Sequence, residues 1–135
     1  MKLHRIQNAA ARLVTGTSRF CHVTPLPFHL HWLPISYRVK FKILLRTFKC
    51  LYSQAPNYLI DLITIKKLSR YSLRSNESML LTLPGIKTCP ILGDRAFQSA
   101  APYLWNALPS AIRNIKTLDT FKTAVKTHLF NLAFK

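Results

Sequence analysis

Arg38, Lys42, Arg46 and Lys49 recur at steps of four, four and three. On a helix those steps put all four cations on one face. None has an Asp or Glu within four positions, the usual source of pairing on a charged helix surface. Like charges at this spacing repel one another. A phosphodiester backbone relieves the repulsion and releases counterions. Plain solvation is the competing reading, because a basic face is only weakly specific. The stretch 64–78 adds Lys66, Lys67, Arg70 and Arg74. All eight are candidate phosphate contacts, which neutralise a backbone without reading its sequence.

The shortage of acid supports this reading. Twenty Lys and Arg face four carboxylates, Asp61, Glu77, Asp94 and Asp119, for a formal net charge of +16 on 135 residues. The first sixty residues contain no acid. That balance points to a polyanionic partner, the phosphate backbone of RNA or DNA. Four scattered carboxylates also make a two-metal or acid–base centre hard to assemble.

Other chemistry finds little support. Cys21, His22, His29 and His31 could be proposed as zinc ligands, but their spacing fits no standard module and Pro25 and Pro27 sit inside it. Incidental histidines in a proline-rich loop are the simpler reading. His4 and His128 have no recognisable partner motif either. Three glycines and no phosphate-binding loop argue against nucleotide chemistry. Five tyrosines could stack bases, although helical spacing assigns most of them to a core. The expectation is no catalytic residue, no metal, no cofactor and no small-molecule substrate.

Cys21, Cys50 and Cys89 are widely spaced with no CxxC pair, so reduced thiols in an intracellular protein, nuclear or cytoplasmic, are expected. No apolar run approaches the ~20 residues of a membrane span, and no signal-peptide core opens the chain. A membrane is set aside as a partner, with surface binding through basic amphipathic stretches as a weaker alternative. Hydrophobic residues reach 49%, with 8 Phe, 5 Tyr and 2 Trp, which excludes a disordered basic tail.

The elements that must carry these residues are mostly helical. Residues 2–15 predict an amphipathic helix with Leu3, Ile6, Ala10, Leu13 and Val14 inward, Arg5 and Arg12 opposite, and Gly16 as its C-cap. Residues 17–35 predict a packed, proline-interrupted loop with a turn around His29–Trp32. It is anchored by Trp32 and Leu33. Residues 36–54 give the clearest helix, with Ser36 as N-cap. Tyr37, Phe41, Leu44, Leu45, Phe48, Leu51 and Tyr52 form its main apolar arc. Val39, Ile43 and Cys50 form a second strip, so this helix should meet more than one neighbour.

A short helix follows at 57–63 with Tyr58, Leu59 and Leu62 inward. Residues 79–83 predict a strand, paired across Pro84–Gly85 with 86–92. Asp94 should cap a helix at 95–101 that Pro102 ends or kinks, and Trp105 should be buried beyond it. Pro109 opens a helix at 109–114. Thr117 or Asp119 caps the last helix, whose stripe is Leu118, Phe121, Val125, Leu129 and Leu132. The fold class is mainly α, a small helical domain with one short β-hairpin. Its parts are an N-terminal helical segment (1–65), a basic linker and hairpin (66–92) and a C-terminal helical segment (93–135), together one domain or fragment.

Three blocks carry a family likeness: LHRIQNAAARLVTG (3–16), HLHWLPISYRVKFKILLRTFKCLYSQAPNYLIDLI (29–63) and GDRAFQSAAPYLWNALPSAIRNIKTLDTFKTAVKTHLF (93–130). With YSLRSNESMLLTLP (71–84) between them, they resemble the C-terminal end of LINE-type (non-LTR, jockey-like) retrotransposon reverse transcriptases. The resemblance implies an RNA-directed DNA polymerase whose endonuclease and Asp-Asp polymerase centre lie upstream of this stretch. No Asp-Asp pair and no Cys/His knuckle is present here, so no catalytic or metal residue carries over. It implies a noncatalytic segment that holds RNA or primer-template, with Met1 opening a reading frame inside a longer ancestral one. The alternatives are a helical interaction module packing on the upstream polymerase domain, a remnant with no independent function, and a free-standing small enzyme. A fragment should also leave large apolar side chains exposed.

Overall fold

A computed structural model describes residues 2–18, 20–22, 25–66, 79–85 and 96–135. Among them are seven helices: α1 (Lys2–Thr15), α2 (Pro25–His29), α3 (Ile35–Leu51), α4 (Asn57–Ile60), α5 (Phe97–Asn106), α6 (Ser110–Arg113) and α7 (Leu118–Ala133). The fold is mainly α, as expected. Packing divides the chain into two compact units, 1–41 with 125–135, and 42–124.

In the first unit, α1 packs on α2. The face of α1 that meets its neighbours differs from the expected one. Gln7 and Ala11 are buried, whereas Leu3 is 60% exposed, Ile6 63%, Leu13 84% and Val14 63%. Small Ala11 permits close approach, and the Gln7 amide Nε2 donates to the Leu33 carbonyl at 2.8 Å, which satisfies a buried polar group. Gly16 closes α1 in a left-handed conformation (φ 64°), with the Thr17 N–H on the Arg12 carbonyl at 3.1 Å. This is the expected glycine C-cap.

The prolines act differently from the expectation. Pro25 and Pro27 sit in the first turn of α2, where helix N–H groups lack partners anyway, so they start the helix instead of interrupting it. The helix therefore lies at 25–29 and not around His29–Trp32. Leu33 is buried as expected, while Trp32 is half-buried. The N-cap position of α3 falls to Pro34, whose carbonyl accepts the Tyr37 and Arg38 N–H groups at 3.0 Å; Ser36 is already helical and exposed. At the far end of this unit, Phe28 stacks on Phe130 (5.6 Å) and meets Phe134 edge-on (5.4 Å). The Tyr37 hydroxyl donates to the Leu132 carbonyl at 3.1 Å.

The second unit is built on aromatic packing. Phe48 of α3 stacks on Phe121 of α7 at 4.4 Å, and Trp105 of α5 lies 5.6 Å from the same ring. Leu44, Cys50, Leu81, Ala101 and Leu108 are also buried. Trp105 donates its indole N–H to the Met79 carbonyl at 2.7 Å. Segment 79–83 pairs with 64–66: the Lys66 N–H reaches the Leu80 carbonyl at 2.9 Å and the Thr82 N–H the Thr64 carbonyl at 2.8 Å, around an antiparallel bridge of Ile65 and Leu81. The expected hairpin partner, 86–92, lies outside the described residues.

Four further expectations are corrected. Tyr58 and Leu62 are exposed, because α4 is a single turn with little surface to bury. Pro102 does not end its helix: α5 runs through it, and its ring is fully buried. An interior proline costs about 3 kcal/mol in a helix, offset here by burial of the ring. The N-cap of α5 is Ala96, without a side-chain bond, while Asp94 lies outside the described residues. Along α7, Phe121, Val125 and Leu129 are buried as expected, but Leu132 is exposed.

Candidate nucleic-acid interface

Helix α3 fixes the basic stripe because its other faces are occupied. Leu44, Thr47, Phe48 and Cys50 are buried, and the Thr47 hydroxyl is spent on the Ile43 carbonyl at 2.9 Å. The second apolar strip is buried only at Cys50, and Val39 is exposed. The helix is thus enclosed on several sides toward its C-terminus and open toward its start.

Arg38, Lys42 and Arg46 are exposed, and Lys49 is half-buried. They span about 16 Å along the helix at about 1.5 Å per residue. None makes an ion pair among the described residues. The one ion pair there joins Lys122 to Asp119 at 3.2 Å, on α7. Asp61 is the other described acid, and it is exposed. Lys49 near the C-terminus of α3 is favoured by the helix dipole, whereas Arg38 near the N-terminus is not. Lys40 is exposed off the stripe, 4.8 Å above the Tyr37 ring.

Lys66 is exposed beside the bridge. Lys67, Arg70 and Arg74 lie outside the described residues. Cys21, His22, His29 and His31 are exposed, with His31 stacked on Phe130 at 5.7 Å. No three His, Cys, Asp or Glu side chains come together as ligands among the described residues. No described helix is long and apolar enough to cross a membrane.

Arg113 is a residue that the sequence reading missed. It is 8% exposed, and its Nε and one terminal nitrogen are buried without a hydrogen-bond partner. Nothing in its neighbourhood of the sequence signals this: it ends a one-turn helix, and the nearest acid in the chain is Asp119. Burial also pushes the Cys50 thiol above its ordinary value of 9.0, so it stays protonated and unreactive.

No known protein family matches the chain, and no curated protein or solved structure is significantly similar to it.

Proposed function

We propose that the chain is a noncatalytic segment from the C-terminal end of a LINE-type reverse transcriptase, and that α3 holds RNA or primer-template by its phosphates. The observation that carries this reading is the stripe itself: Arg38, Lys42 and Arg46 are exposed on one helix, with no ion pair among the described residues. Their mutual repulsion is a standing cost that a bound polyanion removes. Lys49 and Lys66 extend the basic surface, and Lys67, Arg70 and Arg74 would add to it. The three sequence blocks support the origin, as do the large apolar side chains left in solvent. No catalytic role is assigned to any residue.

Fluorescence anisotropy with labelled single-stranded RNA and an RNA–DNA primer-template tests the binding. Between 50 and 200 mM salt, log affinity should fall linearly with log salt, at roughly 0.7–0.9 per phosphate contacted. Replacing Arg38, Lys42 and Arg46 together by Gln should reduce that slope by roughly two to three. A flat salt response, or an unchanged slope in the triple variant, would remove nucleic-acid binding from the reading. The origin has its own test in the DNA upstream of the Met1 codon, where an in-frame polymerase sequence is expected.

A further inference from the structure

We infer that the aromatic pocket at the end of α7 takes an unpaired base of a single nucleic-acid strand. This deepens the phosphate-binding reading and rests on it. Phe28, Phe130 and Phe134 line a cavity of about 470 Å³ together with His128, Asn131 and Lys135. Small-ligand pockets run to roughly 300–1,000 Å³, so the size fits a planar ring system. Its walls are ring faces. Phe28 stacks on Phe130 at 5.6 Å, His31 stacks on the same ring at 5.7 Å, and Phe134 lies 4.7 Å from it. Phe28 is 48% exposed and His31 is exposed, so flat aromatic surface remains in solvent. Every base has a π-face that such rings accept.

Charge selects the occupant. The pocket lies within the unit formed by 1–41 and 125–135, whose sequence contains no Asp or Glu. Arg38, Lys40, Lys126 and Lys135 are exposed in that unit. A methylated ammonium, another guest of aromatic cages, would meet only like charge there. An apolar side chain of a protein partner, or of a second copy, would leave the cations unanswered. A nucleotide answers both features, because its base stacks while its phosphate meets a cation. The exposed Asn131 side-chain amide on the pocket wall can donate to and accept from a base edge. Leu132 also lines the pocket, and its carbonyl accepts the Tyr37 hydroxyl at 3.1 Å. Tyr37 immediately precedes Arg38, which sets the pocket beside the start of the basic stripe. A duplex keeps its bases stacked inside, so the pocket favours a single strand.

The test compares a 12-nucleotide single-stranded DNA with an abasic strand of the same backbone and charge, by anisotropy on the full chain. The strand with bases should bind roughly five- to a hundredfold tighter. Phe28→Leu keeps an apolar side chain and removes the stacking face. It should bring the two affinities together while leaving the abasic affinity and its salt slope unchanged, which also reports that the fold is intact. Phe28→Tyr should retain the preference. A 2-aminopurine in the strand should be quenched on binding to the wild type and the Tyr variant, and not on binding to the Leu variant. Equal affinities for the two strands, or a preference that Phe28→Leu leaves in place, would overturn the pocket while the salt slope still supports phosphate binding. Failure of both strands to bind would remove phosphate binding and the pocket with it. A dimer in sedimentation that Phe28→Leu dissolves and the strand does not compete away would give the pocket to a second copy and overturn the proposal.

Discussion

Asn106 pairs with Leu81 through both edges of one side-chain amide. Its Oδ1 accepts the Leu81 N–H at 2.9 Å, and its Nδ2 donates to the Leu81 carbonyl at 2.9 Å. On the neighbouring residues, Leu80 and Thr82 bond to segment 64–66. A carboxamide at the end of α5 thus pairs with 79–83 on the edge away from 64–66 as a neighbouring strand would, where a lone bridge would be marginal. Removing it strands an N–H and a carbonyl beside a buried leucine.

Asn106→Ala is therefore expected to cost about 2–3 kcal/mol, the penalty of leaving two partly buried backbone groups unpaired. Urea unfolding followed by circular dichroism measures it. Asn106→Asp keeps the acceptor but sets a carboxylate against the Leu81 carbonyl, so it should not restore the wild-type midpoint. A loss under about 0.5 kcal/mol for the alanine variant would show that water replaces the amide freely.

Three helices end in the same way. The residues in the left-handed conformation are Gly16 (φ 64°), His31 (φ 52°) and Ser53 (φ 53°). Beyond them, the N–H groups of Thr17, Trp32 and Gln54 reach back to the carbonyls of Arg12, Pro27 and Lys49 at 3.1, 2.8 and 2.7 Å. This is the Schellman closure, which glycine satisfies without strain. Ser53→Gly should then stabilise the chain by up to about 1 kcal/mol. Gly16→Ala should cost about as much, through backbone conformation alone, since nothing lies within 4 Å of the added carbon. Thermal midpoints shifting in the same direction for both variants would contradict this account.

Those closures show what a sequence reveals and what it hides. Gly16 was legible because glycine announces a left-handed residue. His31 and Ser53 were not, because packing and chain reversal impose the conformation on them. The α3 stripe was legible for a related reason: once 35–51 is helical, spacing alone decides which side chains share a face. Helix α1 was legible as amphipathic, but which edge it buries depends on what α2 offers, and periodicity carries no such information. An end to the helix at Pro102 was a misreading, because local propensity favours a break there, while the packing that offsets it is tertiary. Arg113 and the Asn106 pairing had no local signature at all.

Cys50 and Cys21 should differ sharply in reactivity. Cys21 is exposed and Cys50 is buried. Iodoacetamide at pH 8, read by peptide mass spectrometry, should label Cys21 in the folded chain and Cys50 only in denaturant. The raised thiol also fixes a pH dependence. Its folded value lies above the ordinary 9.0, so the fold favours the protonated form. That contribution is fully present below about 9 and is lost as pH rises toward the folded value. The stability difference between the wild type and Cys50→Ala should consequently shrink above pH 9. Equal labelling rates for the two cysteines would refute the burial.

Arg113 gives the most demanding prediction. A buried guanidinium loses its hydration, normally repaid by a carboxylate and a full set of hydrogen bonds. Here two of its nitrogens are buried without partners, and no acid pairs with it among the described residues. Its stem still fills space in the second unit, because the residue as a whole is buried. Arg113→Met keeps most of that volume and deletes the charge. It should raise the unfolding midpoint, by about 1–2 kcal/mol in stability. Arg113→Lys keeps the charge and gives up the planar group, so it should give no gain. The contrast between the two separates charge from packing: if Met lowers the midpoint and Lys preserves it, the cation is stabilising where it sits.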